Sequence, residues 1–311
     1  MTPGPAWKAW ALVALCATGT VARAEDGALL TGTLKAIHER GTVLIGHRED
    51  ALPFSFLNKA GQPVGFSVDI CHAIASDIAS ALHRELLDPG APSWQQGIRI
   101  EYVPVAADAR LPKVVAGEVD LECGSTTATD DRAKVVGFSP VFFLAGTKLM
   151  VPARSGITSY RDLSGKTIVV GAGTTNGEVM RRLAPAVTPP LRIVEVPDLS
   201  TAFSMLAAGQ ADAFASDDIL LSGLSANPSD RQRFRILGEY LSFEPYAIVF
   251  RRDDADFGKL VRESFGRLAR EGALTALYSR WFTGRLPTGE TLNLPMSPHL
   301  TEMFRVLGAP D

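Results

Sequence analysis

Five runs that read as strands each end in residues able to hold charge. Arg48 follows "VLIGH", Arg110 follows "IEYVPVAADA", and Ser125, Thr126 and Thr127 follow "DLECG", with Arg132 one helical turn on. Further along, "TIVVGAG" delivers Thr174 and Thr175, and "DAFAS" delivers Asp217 and Asp218. Taken singly, each has a plain explanation. An arginine after a strand is a surface cation, and hydroxyls or aspartates at helix starts are caps. The spacing Thr175-x-x-Glu178 fits a capping box. Convergence is what points to chemistry, because open α/β sheets bind ligands outside the carboxyl ends of their strands.

The chemistry those residue types supply is the recognition of an amino acid. A carboxylate and an ammonium on one carbon are costly to dehydrate unless both are paired. A guanidinium holds a carboxylate with two parallel hydrogen bonds, which lysine cannot reproduce. Amides exposed at a helix start near Gly173 and Thr174 add donors for an anion, and an aspartate answers the ammonium. The "GSTT…R" stretch therefore reads as a carboxylate grip and "SDD" as an ammonium grip.

The elements that must position these groups alternate between short apolar runs and amphipathic helices. "TVLIGHR" reads as a strand and "VGFSVDICHAIASDIASALH" as a helix. "IRIEYVPV", the helix "ARLPKVVAGE" and "VDLECG" follow. A second unit with the same alternation starts after "FFLAGTKLMVP" and runs through "GKTIVVGAG", "TNGEVMRRLA", "LRIVEVP", "LSTAFSMLAAG" and "ADAFASD". Such alternation predicts mostly parallel sheets flanked by helices. With 311 residues, of which 46% are hydrophobic, there is material for two such lobes. No low-complexity linker separates them, which predicts packed lobes.

A formal net charge of -3 gives no electrostatic footing for nucleic acid. The five histidines show no metal-ligand spacing, and no dinucleotide, phosphate-loop or nucleophile-elbow signature is present, so no cofactor is expected. Lys8, the apolar run Ala9–Val21 and the ending Ala22-Arg23-Ala24 form a secretory signal, with cleavage expected after Ala24. The exported chain keeps Cys71 and Cys123, for which unpaired, buried thiols are the expectation over a disulfide.

Several stretches together resemble the family 3 periplasmic solute-binding proteins of amino-acid ABC transporters. They are "PFSF…GQPVGFSVDICHAIA", "ECGSTTATDDRAKVVGFSPVFFLAGTKLMV", "DLSGKTIVVGAGTT", "YAIVFRRDD" and "LAREGALTALYSRWF". "GHRE", "DLECGSTT" and the tail "LNLPMS…EMF" are most similar to the glutamate/aspartate-binding branch. The resemblance implies a two-lobe (type II) fold joined by two hinge strands, crossing near Phe142–Gly146 and Ser242–Tyr246. Residues 1–24 are then the signal, 25–142 and 246–311 lobe 1, and 143–245 lobe 2. It implies that Arg132, Thr127 and Thr174 hold the α-carboxylate, Ser125 and Asp217 the ammonium, and Arg48 and Arg110 a side-chain carboxylate. It also implies a monomeric, non-enzymatic periplasmic protein with an ABC permease as partner.

The chain departs from that branch at four places. Ala107 stands where the branch has a serine, Leu199 replaces a histidine, and Gly171 replaces a threonine. Ile248 replaces the branch's second cysteine, which supports the free-thiol expectation. The loss of polar partners keeps open a different amino acid or a larger dicarboxylate. A dehydratase on the same scaffold, or a sensory binding protein, are the readings from other classes.

Overall fold

The computed structural model describes residues 1–2 and 30–309; the signal segment, with Cys16, otherwise lies outside the described residues. Two five-stranded sheets carry the chain from Thr31 onward. In the first, Thr42–His47 runs parallel to Arg99–Pro104 on one side and to Leu121–Glu122 on the other. Val249–Arg251 then enters antiparallel and pairs onward with Val136–Phe138. The second sheet repeats the plan. Thr167–Gly171 lies between the parallel strands Arg192–Val196 and Ala213–Asp217, followed by antiparallel Thr147–Pro152 and then Phe234–Ile236.

Each sheet thus has four strands in one direction and one inserted against them. The reason is topological. Both inserted strands are those on which the chain has just arrived from the other sheet. The crossings are Phe143–Ala145 and Glu244–Tyr246, which pair antiparallel as a two-stranded ribbon. Gly146, at the end of the first crossing, packs so closely that a Cβ would stand 2.6 Å from the Ser242 carbonyl.

Local sequence explains how the helices start where they do. Gly65 has φ 140°, and a Cβ there would collide with the Phe54 carbonyl, so the turn into helix Phe66–Ala81 demands glycine. The helix buries Phe66, Ile70, Ile74 and Ile78 on one face at helical spacing. The last long helix, Ala255–Arg270, returns to the first lobe and packs on Phe66–Ala81, with Arg267 Nη2 2.9 Å from Asp77. Rings of Phe54, Phe66, Phe142, Phe143, Tyr246 and Phe282 interlock at the base of the ribbon, with Phe54 and Tyr246 centroids 5.0 Å apart. The first lobe therefore gives the ribbon a rigid footing.

The cysteines correct the sequence-based expectation, for Cys71 and Cys123 are joined as a disulfide. Helix Phe66–Ala81 lies across the sheet so that Cys71 faces the end of strand Leu121–Glu122, with Cα atoms 6.3 Å apart. Ile248 is fully buried nearby in sequence to the inserted strand, and the thiol of Cys123 finds its partner on the helix instead. The bridge closes a loop with a sequence separation of 52 residues, so its loss costs about 2–4 kcal/mol. Thermal melts with and without reductant should differ accordingly; coincident melts would show that the bridge contributes nothing.

The cap of helix Thr175–Leu183 also differs from expectation. Thr174, one residue earlier, is the N-cap, its Oγ1 accepting from Gly177 N at 3.3 Å. Thr175 is released to point elsewhere. Among the described residues no helix is long and apolar enough to cross a membrane, and no cluster of His, Cys, Asp or Glu is arranged to hold a metal.

Candidate functional site

The carboxyl ends of the parallel strands of both sheets face one narrow cavity, lined by Arg48, Arg110, Ser125, Thr127, Thr174 and Asp217. Of the strand-end residues read from the sequence, Thr126, Asp218 and Arg132 are not on that lining. Arg132 bounds the cleft from outside, Nη1 donating to Thr127 O (3.0 Å) in lobe 1 and Nη2 to Gly173 O (3.2 Å) in lobe 2. Gly173 has φ 67°, and a Cβ there would lie 2.6 Å from Asp108 Cα, so the lobes approach backbone to backbone at this point.

Arg110 opens the helix Arg110–Ala116 and is 3% exposed. Its Nε has no hydrogen-bond partner, and among the described residues no acceptor meets its guanidinium. Burial, with repulsion from Arg132 added, pushes its pKa down to about 9 despite the opposing Glu122 carboxylate. The group stays charged at neutral pH and lacks a direct partner. Arg48 is in a different situation: its Nη2 is paired with Asp50 Oδ1 at 3.0 Å. The two arginines expected to act together are therefore inequivalent.

The hydroxyl segment divides by direction. Thr126 Oγ1 turns into lobe 1 and donates to Glu122 Oε2 at 2.6 Å, whereas Ser125 and Thr127 face the cavity. Backbone bonds from Ala128 N to Pro245 O (2.7 Å) and from Ala247 N to Thr126 O (3.0 Å) tie this segment to the ribbon. Thr127 Oγ1 lies 3.4 Å from Thr175 Oγ1 in the other lobe.

Asp217 holds the N-cap position of the helix that follows it, but its side chain makes no capping bond there. Its Oδ1 accepts from Asn176 Nδ2 at 2.7 Å and its Oδ2 from the Tyr246 hydroxyl. Burial and the neighbouring Glu244 carboxylate raise its pKa to about 7, against those two hydrogen bonds. Each carboxylate oxygen has a second acceptor site, so a cationic donor is still accommodated.

Sequence reasoning missed Asn176 and Glu244 as site residues. Glu244 is 2% exposed and accepts from Thr175 Oγ1 (2.6 Å), Thr147 Oγ1 (3.2 Å) and Ser242. Asn176 adjoins the threonines already singled out, which is a usable signal. Glu244 had none, because its two threonine partners, Thr175 and Thr147, lie 69 and 97 residues away. Ala107, Gly171 and Leu199, three of the positions where the chain departs from the branch it resembles, also line the cavity.

Two lobes, a paired-strand hinge ribbon and a cleft lined from both sides define a type II bilobal solute-binding protein. Residues 43–284 match the model of the bacterial extracellular solute-binding proteins, family 3, and the chain belongs to that family. It is 35% identical over 277 residues to an L-glutamate/L-aspartate-binding protein of Pseudomonas aeruginosa, covering 88% of each chain. It is 30% identical over 297 residues to a glutamate/aspartate import solute-binding protein of Salmonella typhimurium, covering 95% of each. Among solved structures, a mutant arginine-binding protein of T. maritima superposes with a TM-score of 0.69 at 28% identity, covering 80% of this chain and 98% of that one.

Proposed function

We propose that this protein is the periplasmic substrate-binding component of an ABC importer, capturing L-glutamate or L-aspartate by closure of its two lobes about the ribbon. The observation that carries the reading is Arg110, a buried guanidinium facing the cavity without an acceptor. A buried charge of this kind calls for an anion, and a ligand's side-chain carboxylate supplies it. In this reading Arg132, Thr127 and Thr174 take the α-carboxylate, Ser125 and Asp217 the ammonium, and Arg110, assisted by Arg48, the side chain. The ligand bridges lobe 1 (25–142 and 246–311) and lobe 2 (143–245), and so favours the closed form. The protein acts as an exported monomer that delivers its ligand unchanged to a membrane permease. The names of the two bacterial relatives support the ligand class.

One observation favours a second reading, a longer or less polar ligand. Arg48 is already paired with Asp50, and Ala107 and Leu199 put apolar side chains on the cavity wall. Calorimetric titration of protein refolded to remove carried-over ligand separates the two. The first reading predicts saturable binding of glutamate or aspartate, with the ligand recovered chemically intact by mass spectrometry. A dehydrated or otherwise altered product would indicate an enzyme, and binding confined to neutral amino acids would favour the second reading.

The proton on Asp217 gives a further expected result. Near pH 6 the folded protein holds that proton, because the pKa of about 7 lies above the ordinary carboxylate value near 4. Between those values the folded state binds more protons than the unfolded one, so this group's contribution to stability falls as pH rises. An ammonium prefers the ionised carboxylate. Amino-acid affinity should therefore drop up to about tenfold per pH unit below 7, with roughly one proton released on binding at pH 6. Calorimetry in buffers of different ionisation enthalpy measures that proton; none released would remove Asp217 from the ammonium site.

A further inference from the structure

We propose that Asp50 is a latch between the lobes, a positioning residue of lobe 1 that holds the cleft shut by gripping the start of a lobe 2 helix. Its Oδ2 accepts from Leu199 N at 2.7 Å and Ser200 N at 3.3 Å, the first two amides of helix Leu199–Ala207. Its Oδ1 pairs with Arg48 Nη2 at 3.0 Å, and the side chains of Asp50 and Arg48 are 13% and 6% exposed. The helix carries its own cap as well, Asp198 Oδ1 accepting from Thr201 N at 2.6 Å. Its three leading amides are thus satisfied by two carboxylates, one from each lobe. A local cap alone would leave the first two amides to water.

The grip is electrostatically favourable on both sides. A carboxylate at a helix N-terminus meets the positive end of the helix dipole. Arg48 fixes the same carboxylate from behind, in a partly dehydrated place where a charge-assisted bond is stronger than at the surface. Asp50 lies on the two-residue strand Asp50–Ala51, which pairs with Ser55–Leu57 and so has little freedom to follow the helix if the lobes part. Opening the cleft must break both hydrogen bonds from the helix amides and leave the helix start uncovered. The latch consequently raises the closed population before any ligand arrives, and apparent affinity rises in proportion to that population.

This inference rests on the hinge-closure reading, and small-angle scattering tests the two separately. The full chain, refolded to strip ligand, is compared with Asp50→Ala and with Leu199→Pro. Proline suits the first helical position, and Asp198 already has the extended backbone that a following proline requires (φ -145°, ψ 164°). Leu199→Pro therefore deletes the stronger donor while leaving Asp50 and Arg48 in place. Both variants should show a larger ligand-free radius of gyration than the parent. Saturating glutamate should return Asp50→Ala to the parent's liganded radius, with affinity weakened roughly tenfold. An unchanged ligand-free radius in Asp50→Ala overturns the latch, as does an effect of Asp50→Ala that Leu199→Pro does not reproduce. Tighter glutamate binding by Asp50→Ala without opening would make Asp50 a competitor for Arg48, which also overturns it. If Asp50→Ala, once open, fails to compact with glutamate, hinge closure on that ligand fails, while the ligand-free comparison still decides the latch.

Discussion

Arg110→Met should weaken glutamate and aspartate binding by about 2–5 kcal/mol while making the ligand-free protein more stable. The two effects have one cause. The guanidinium is buried, its Nε is unpartnered, and its pKa is held near 9, so the ligand-free fold bears the cost of an unmatched charge. Methionine fills similar space without that cost, which should raise stability by about 1–4 kcal/mol on the precedent of buried charges replaced by apolar groups. With a dicarboxylic amino acid bound the balance reverses, because the charge then has its anion. Glutamine, which offers no side-chain carboxylate, gains nothing from Arg110, and whatever weak binding it has should not fall in the variant. Calorimetric titration with both ligands, together with ligand-free melting, measures all of this. Unchanged glutamate affinity would remove Arg110 from the side-chain subsite.

Arg132→Ala should abolish measurable binding of every amino acid, a loss of at least about 2–5 kcal/mol. The α-carboxylate is common to all of them, so no side chain escapes the effect. The fold itself should be little affected, within about 0.5 kcal/mol, since Arg132 is partly exposed. Arg132→Lys should fail to rescue binding, because an ammonium cannot reach two carbonyls in different lobes and also offer a parallel pair of donors. The two arginines thus predict opposite signatures, one selective and stabilising, the other unselective and neutral for stability. Retained binding of glutamate or aspartate by Arg132→Ala would relocate the α-carboxylate site.

Much of this organisation was legible in the sequence because the periodicities are clean. Helix Phe66–Ala81 announces itself by apolar spacing and by the glycine that its entry turn requires. Ser125, Thr127, Thr174 and Asp217 could be placed on one cavity because parallel strands deliver their carboxyl ends to the same side of a sheet. What escaped depended on contacts between distant segments. The pairing of Cys71 with Cys123 follows from how a helix lies across a strand end, which spacing does not encode. Glu244 sits on a ribbon strand, and the threonines that converge on it, Thr147 and Thr175, are distant in sequence. Arg48 looked equivalent to Arg110 until the fold set Asp50 against it. That neighbour is only two residues away, but its orientation is fixed by a helix of the other lobe.

The central claim is that the cleft selects an acidic amino acid through an unpaired arginine. Thermal melting of the refolded protein against the common amino acids and dicarboxylates tests it most directly. A specific ligand at about one hundred times its Kd adds roughly 2.7 kcal/mol to stability, a readily visible shift. Glutamate or aspartate should raise the melting temperature while glutamine, arginine and apolar amino acids leave it in place. A shift produced only by a neutral or larger compound would contradict the claim, and would show that Ala107 and Leu199 govern the pocket in place of Arg110.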